Sequence, residues 1–544
     1  MTDPQVSFIL DGREVQAPPG TTVLEAARKL GHAIPTLCYH PLLKTDGRCG
    51  ICTVEREPAV LIRACSTPVE QGAVYHTGSP AVAAHRREVA KLLLSRHELS
   101  CHVCDRHGEC ELERLVGRLG ITDGSPVGLA APTFTDRSSA SVSLLGDRCL
   151  ACGRCVALCD QLGWGALRMD EKLVQARSVD EPGLAGPHCT SCGQCTLACP
   201  SGALVPRSAV VPVESALMDR DRHCVAVLEP TAAAALMNEL KVDAQPRLIG
   251  TLATLGFAGV VDSAWGADAY LVELADRLHR EKPRAAIISP CEAVRRYVRL
   301  NRPELAGWLP PEAGPSQQAA FKWRQKVSPE LGLAPGHCYL VQLATGTAAK
   351  EGVRRHSVDR ERGLDASLTV RELTGLLRRL GLTPEKAKAR GFTHLRGSRL
   401  GTMLGAPGAV TDGLAVVWAQ RSGSAFPAPS GGFLPPEEEE RGIELPGGGR
   451  ARVLVAHGGR QVQNALDRAV ELSADKGGPR ILLELYACPG GCLGGGGMLR
   501  LAGPAELQQR YQALVYLAGG AQFDYPHQNK RLRRFHPELF DPIR

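Results

Sequence analysis

Cys149-Leu-Ala-Cys152-Gly-Arg-Cys155-Val-Ala-Leu-Cys159 and Cys189-Thr-Ser-Cys192-Gly-Gln-Cys195-Thr-Leu-Ala-Cys199-Pro200 are two copies of one spacing, C-x2-C-x2-C-x3-C, the second followed directly by proline. Three thiolates at x2 spacing can wrap one [4Fe–4S] cubane in a tight loop. The fourth, on the first turn of a helix, points away at a second cubane. Cys149, Cys152, Cys155 and Cys199 are therefore expected around one cluster, and Cys189, Cys192, Cys195 and Cys159 around the other. Two zinc knuckles are the competing reading; a doubled four-Cys run ending in proline is not how zinc is held. A pair of cubanes carries electrons, so the remainder of the chain is read for what stands at each end of that wire.

Upstream, residues 81–115 open with an amphipathic helix over Ala84–Leu94 by its period. His97-x3-Cys101-x2-Cys104-x5-Cys110 follows. One imidazole and three thiolates can hold a cubane, and a neutral nitrogen ligand should raise its potential. A zinc site with the same three thiolates and one imidazole is the alternative. His102 and His107 are alternative nitrogen donors; His97 is preferred because a full turn separates it from the first Cys.

Residues 1–80 begin with the alternating strand Val6–Leu10, the turn Asp11-Gly12 and a second strand near Glu14-Val15. Thr21-Thr22-Val-Leu-Glu25 reads as a helix N-cap with a carboxylate behind it, and Gly31 ends the helix. Cys38, Cys49, Cys52 and Cys65 then follow with a single x2 pair, which suits a [2Fe–2S] cluster; a zinc ribbon would want two such pairs. His40 lies near Cys38, but four thiolates are already available, so it is expected beside the site or on the surface.

The chain has 544 residues, enough for several domains. Its 44% hydrophobic and 22% charged content is that of a globular protein. Twenty cysteines, clustered, argue for metal in a reducing compartment rather than for disulfides. The formal charge is +7. Each cluster with its thiolates contributes roughly −1 to −2, which brings the total near zero, and no basic run interleaved with aromatics is present, so nucleic-acid binding is not expected. No long apolar run predicts a membrane span, and the first residues lack a signal-peptide pattern, so a cytoplasmic location is expected.

In this order, the [2Fe–2S] module, the site of one His and three Cys, and the dicluster unit resemble the N-terminal half shared by the large iron–sulfur subunit of respiratory complex I and by large [FeFe] hydrogenases. All sixteen ligand positions match, over residues 1–210. The resemblance implies a β-grasp ferredoxin, a cluster module with one His and three Cys ligands, and a 2[4Fe–4S] ferredoxin, together with partners that handle flavin and NAD(H).

Downstream, residues 115–145 are rich in Gly, Pro, Ser and Thr and read as a linker, and a hairpin is expected between Gly163 and residue 185. From residue 211 the composition turns to α/β. Apolar runs at 225–228, 260–261, 285–288, 339–343, 453–456 and 481–485 predict buried strands, several followed by Cys or Gly, which fits an open α/β sheet with a site at the strand ends. The stretch 421–448, with the acidic run Glu437–Glu440, reads as a solvated insertion. Gly494–Gly497 is too plastic to count as a phosphate loop, and no strand is followed by G-x-G-x-x-G, so nicotinamide or flavin is expected on another subunit.

These features resemble the catalytic domain of [FeFe] hydrogenases over 225–300, 315–380 and 450–500, including Pro315-Ser-Gln-Gln318 and Arg371-Glu-Leu-Thr374. In that family a cubane is held by four Cys from the signatures T-S-C-C-P, M-P-C-x-x-K and E-x-M-x-C-x-x-G-C, and one Cys bridges to a di-iron site that carries the H2 chemistry. Here the resemblance implies cubane ligands at Cys291, Cys488 and Cys492. The proton-relaying Cys falls on Pro290, the fourth cubane ligand on Gly346, the cyanide-bonding Lys on Ala349, with Lys350 adjacent, and the Met on Tyr486. Cys338 is considered as a substitute thiolate; Cys338 and Cys224 otherwise read as small buried side chains.

The expected architecture is multidomain α+β and α/β: a β-grasp [2Fe–2S] domain at 1–80, a one-His, three-Cys [4Fe–4S] domain at 81–135, a 2[4Fe–4S] ferredoxin at 136–210 and a hydrogenase-like α/β domain at 211–544. One [2Fe–2S] and three [4Fe–4S] clusters are expected, with a further cubane in the C-terminal domain and no di-iron H-cluster. The leading reading is an iron–sulfur electron-transfer subunit working between flavin/NAD(H)-binding, complex I-like subunits and another redox partner. The alternatives are a noncanonical [FeFe] hydrogenase, catalytic or H2-sensing, and a cluster carrier or assembly scaffold.

Overall fold

The computed structural model describes residues 4–44, 47–122, 133–356, 363–425 and 436–540. At the N-terminus, Val6–Leu10 and Arg13–Ala17 pair antiparallel. The turn between them puts Asp11 and Gly12 at φ 47° and 79°, the left-handed pair that a tight hairpin needs. These strands sit in a five-stranded sheet with Val74–His76, Thr53–Arg56 and Val60–Arg63. The helix Val23–Lys29 starts at a reciprocal Thr22/Glu25 capping box and lays Val23, Leu24, Ala26 and Ala27 on the sheet.

The next helix, Pro80–Leu94, begins four residues before the apolar period does, because Ser79 caps it and Pro80 takes the first helical position. Residues 115–145 are only partly a connector. The helix Glu111–Arg118 occupies their start, residues 123–132 lie outside the described ones, and Val142–Leu144 is a strand paired antiparallel with Leu204–Pro206. Ser141 and Ser143 are buried as fully as their apolar neighbours, so the strand carries no polar face to read.

The two cysteine runs fold alike. Ala151 and Ser191 take positive φ, as do Gly153 and Gly193, and each glycine starts a short helix, Arg154–Gln161 or Gln194–Ala198. The hairpin Leu167–Asp170 with Gln175–Ser178 fills the expected stretch between the runs.

The C-terminal region differs from the single open sheet expected. It has two four-stranded sheets: one ordered Gly259–Asp262, His223–Leu228, Cys338–Ala344, Ala366–Thr369, all parallel, and one ordered Ala285–Ile287, Arg480–Tyr486, Arg450–His457, Glu438–Glu444. The last of these is antiparallel. The acidic run thus leads into an edge strand rather than lying in a loop; its glutamates are held by Arg441, Arg452 and Arg468. Central strands are buried on both faces and read as continuous apolar runs, as covered parallel sheets require. Their C-terminal ends converge on one cavity.

Candidate functional site

Cys38, Cys52 and Cys65 are buried at the edge of the N-terminal core. The structure brings all four expected thiols together: Cys38 shares hydrogen bonds with Cys49 and Cys65, and Cys52 with Cys65. Cys38 is held below the ordinary thiol range by Cys49 first, then Cys65. His40 instead accepts a bond from the Leu42 amide through Nδ1 at 3.2 Å.

His97 is half-buried, its Nδ1 has no partner among the described residues, and burial first and then Arg148 push its pKa down, which favours the neutral form that a metal-binding imidazole needs. Arg148 reaches Cys104 Sγ at 3.6 Å. Cys104 lies close enough to Cys101 and Cys110 to raise both thiols, after burial. His107 is instead paired with Glu113 at 3.2 Å.

Cys149, Cys152, Cys155 and Cys199 line one small cavity. Cys159 is raised by burial and then by Cys192 and Cys189, and Cys195 by burial and then by Cys192, Cys189 and Cys159. Cys199 thus stands with the first run, and Cys159 beside Cys189 and Cys192 of the second. Two cations stand beside these cysteines. Arg106 bonds the carbonyls of Leu499 and Cys199 at 3.2 and 3.1 Å, and Arg371 those of Met498 and Leu499 at 2.6–3.0 Å. Both are buried, and among the described residues Arg106 Nε and Arg371 Nη1 have no hydrogen-bond partner; burial brings Arg371 down to about 9, with Glu109 and Asp105 acting against it. Buried cations beside these cysteines are compatible with an anionic cluster close by.

These sites adjoin in series. Cys49 and Cys149 line one cleft, and Cys49, Cys110 and Leu150 share an apolar cluster. Arg154 ties the dicluster loop to the carbonyls of Cys38 and Tyr39 and to Glu111. At the other end, Cys192 lines the C-terminal cavity with Cys291, Cys488 and Cys492. Cys488 Sγ lies 3.9 Å from the Cys192 carbonyl, and Thr347 Oγ1 donates to the Ser191 carbonyl at 2.8 Å.

That cavity encloses about 170 Å³. Cys291, Cys488 and Cys492 are half-buried and burial raises each thiol. Pro290, Gly346 and Ala349 line it too, so the three altered positions face the same space. A Cβ placed on Gly346 would meet nothing within 4 Å. Lys350 turns away: its ammonium is buried on the Ser367 carbonyl at 2.6 Å and on Glu372 at 2.9 Å. Tyr486 lines the cavity with its ring, while its hydroxyl donates to Leu404 O and Glu484 at 3.0 Å. Glu484 is itself held by Gly408, Val410 and Thr411 at a helix start.

Cys338 cannot replace the thiolate at Gly346. It begins the strand Cys338–Ala344, whose other end faces the cavity; seven residues at about 3.3 Å each separate the two by roughly 20 Å. It is packed in an apolar core, as Cys224 is in another, with the Cys224 Sγ on the Ala216 carbonyl at 3.1 Å.

One cavity residue has no motif to announce it. Glu229 follows the apolar strand His223–Leu228, and its carboxylate accepts from Gln342 Nε2 at 2.6 Å, Ser316 Oγ at 3.3 Å and the Thr345 amide at 3.3 Å. Burial raises its pKa. The available signal is a charge ending an otherwise apolar run at the site end of a sheet.

Four family models match successive stretches of the chain. A 2Fe-2S iron–sulfur cluster binding domain matches residues 3–80, the NADH-ubiquinone oxidoreductase-G iron–sulfur binding region 86–125, a 4Fe-4S dicluster domain 148–203, and the C-terminal domain of the iron-only hydrogenase large subunit 222–496. The chain is 30% identical to the NADP-reducing hydrogenase subunit HndD of Solidesulfovibrio fructosivorans, over 96% of this chain and 94% of the other. It is 41% identical to the G subunit of NADH-quinone oxidoreductase from Rickettsia bellii, over 21% of this chain and 17% of that protein. The fold is similar to that of [FeFe]-hydrogenase HydA1 from Chlamydomonas reinhardtii, with a TM-score of 0.52 and 20% identity over 62% of this chain and 95% of the other. No helix among the described residues is long and apolar enough to cross a membrane.

Proposed function

We propose, from the premise that the chain belongs to the iron-only hydrogenase large-subunit family, that it is the multi-cluster electron-transfer subunit of an NAD(H)- or flavin-linked oxidoreductase complex whose C-terminal domain has kept a cubane and given up the di-iron site. Cys38, Cys49, Cys52 and Cys65 hold a [2Fe–2S] cluster in a β-grasp domain at 1–80. His97, Cys101, Cys104 and Cys110 hold a cubane in a second module at 81–135. The crossed sets Cys149, Cys152, Cys155, Cys199 and Cys189, Cys192, Cys195, Cys159 hold two more at 136–210. Cys291, Cys488 and Cys492 hold the terminal cubane at 211–544. His97 Nδ1, Arg106 Nε and Arg371 Nη1, each buried without a hydrogen-bond partner among the described residues, support clusters at these places.

The observation that carries the reading is the cavity itself. It shares Cys192 with the dicluster, which makes it the end of the wire, while Pro290, Gly346 and Ala349 stand where the family signatures have the relaying thiol, a cubane thiolate and the lysine. Glu229 and Glu292 are the carboxylates that line it there, and Glu292 is committed to Arg355 at 2.7 Å. Relatives that are subunits of NADH-quinone oxidoreductase and of an NADP-reducing hydrogenase support a multi-subunit setting; a cytoplasmic location and flavin- and NAD(H)-binding partners complete the proposal.

The test is iron content and EPR of the anaerobically reduced chain, followed by exposure to H2 after treatment with a synthetic di-iron cofactor. Signals from all five clusters with none reduced by H2 support the relay. Cluster reduction by H2 overturns it in favour of a hydrogenase, and release of clusters to an acceptor protein overturns it in favour of a carrier.

A further inference from the structure

Glu229 is placed to do something that a helix-capping residue does not. It occupies the N-cap of the helix Pro230–Glu239, yet its side chain makes no capping bond. Instead the carboxylate turns into the cavity, where Gln342, Ser316 and the Thr345 amide fix it. All three are neutral donors, and no cation pairs with it among the described residues. A carboxylate fixed by neutral groups in a half-closed space beside three thiols lacks only the positive charge.

Its position relative to the missing ligand is equally specific. The Thr345 amide that holds it belongs to the residue immediately before Gly346, so Glu229 is anchored to the same turn that lacks a thiol. It also lines the same cavity as Cys291, Cys488 and Cys492. The position left open at Gly346 and the carboxylate of Glu229 therefore adjoin one wall of the cavity.

We infer that a carboxylate oxygen of Glu229 ligates the fourth iron of the cubane on Cys291, Cys488 and Cys492, giving a three-thiolate, one-carboxylate cluster, and that the same side chain takes up room a di-iron group beside Cys492 would need. The assignment rests on the terminal cubane proposed above. A carboxylate is a harder, weaker iron ligand than a thiolate, so this iron is distinguishable from its three neighbours and is the one that leaves first.

The full-length chain is loaded anaerobically with 57Fe, unsubstituted and as Glu229→Ala, Glu229→Gln and Glu229→Cys. Ferricyanide takes one electron from a cubane and Fe2+ departs, leaving a three-iron cluster with its own EPR signal. The three-iron signal is expected to grow fastest in the Ala and Gln variants, with about one iron per chain lost, more slowly in the unsubstituted chain and least in Glu229→Cys. The Mössbauer spectrum of the unsubstituted chain should contain one iron of higher isomer shift that disappears in Glu229→Cys. The signals of the N-terminal clusters report that each variant is folded. Identical iron loss and spectra across the series overturn the ligation. The Cys291→Ser/Cys488→Ser/Cys492→Ser chain separates the two ideas: if it loses the terminal cluster while the Glu229 series is flat, only the ligand assignment fails; if it loses no iron, the terminal cubane fails and takes the assignment with it.

Discussion

Gly346 removes a thiolate without leaving a crowded replacement, since a Cβ there meets nothing within 4 Å. Gly346→Cys should therefore cost less than about 1 kcal/mol in a thermal melt and should bring the proposed terminal cubane a fourth thiolate, read as slower iron loss to ferricyanide. Lys350 behaves oppositely. It is buried against Glu372, which also caps the helix Val370–Arg379 and accepts from the Ala209 amide. Lys350→Met should cost about 3–5 kcal/mol by stranding that carboxylate, with iron content unchanged. Asp268 gives the chain a pH dependence. Burial pushes its carboxyl up to about 7 from 3.8, against the Ser398 hydroxyl and amide that pull it down. The folded state then binds the proton more tightly than the unfolded one, so the stability is fully present below about pH 4 and is lost as pH rises through about 7. About three units correspond to about 4 kcal/mol. Melting midpoints measured across that range should fall with pH, and Asp268→Asn should flatten the slope. Pro290, Gly346 and Ala349 are legible in the sequence because they interrupt motifs. The direction Lys350 takes is not, because adjacent residues on a helix point to different neighbours.

The loop Gly490–Gly497 shows what a glycine run does in this element. A Cβ on Gly495 would overlap the Thr345 carbonyl, one on Gly496 the Cys192 carbonyl, and one on Gly497 the side chain of Thr369. The loop is stitched by Gln194 to Gly494 O at 2.7 Å, Thr196 to Gly496 O at 2.8 Å and the Gly497 amide to Thr345 O at 2.7 Å. Gly496→Ala should cost about 1–3 kcal/mol and, with the cubanes proposed above in place, weaken the magnetic coupling between the second dicluster cubane and the terminal one in EPR of the reduced protein. As sequence, this run reads as merely plastic. Plasticity is the right property, but its use is close backbone approach, which needs the opposing surface to be visible. The strands are legible as apolar runs, whereas their division between two sheets is not, since parallel neighbours share no local pattern. The edge strand Glu438–Glu444 escapes notice because its stabilising partners are arginines on Arg450–His457 and on the helix Gly459–Ala474 rather than apolar residues.

Across the whole molecule, the small N-terminal cores are built partly from the proposed ligands: Cys52 and Cys65 in one, Cys110 in another, Cys155 and Cys199 in a third. The C-terminal region has large apolar clusters centred on Ala232–Leu236, Trp265 and Trp323 that do not depend on metal. Stripping the clusters with chelator under reducing conditions should therefore unfold the first part before the second. Limited proteolysis of the stripped chain should cut before about residue 210 and spare a C-terminal fragment; equal digestion of both parts would contradict this. The order of the sites along the chain is legible from cysteine spacing alone, because ligand geometry constrains sequence locally. That they meet end to end is not, because the contacts join residues hundreds of positions apart, such as Thr196 and Gly496. The meeting of Ser191 and Cys192 with Thr347, Cys488 and Gly496 also has a direction in time. Once these loops seat, the second cysteine run is covered from the C-terminal side, so the cubane proposed there should enter a newly made chain before the halves close. The seam proposed to conduct in the finished protein would thus also set the schedule by which the protein is built.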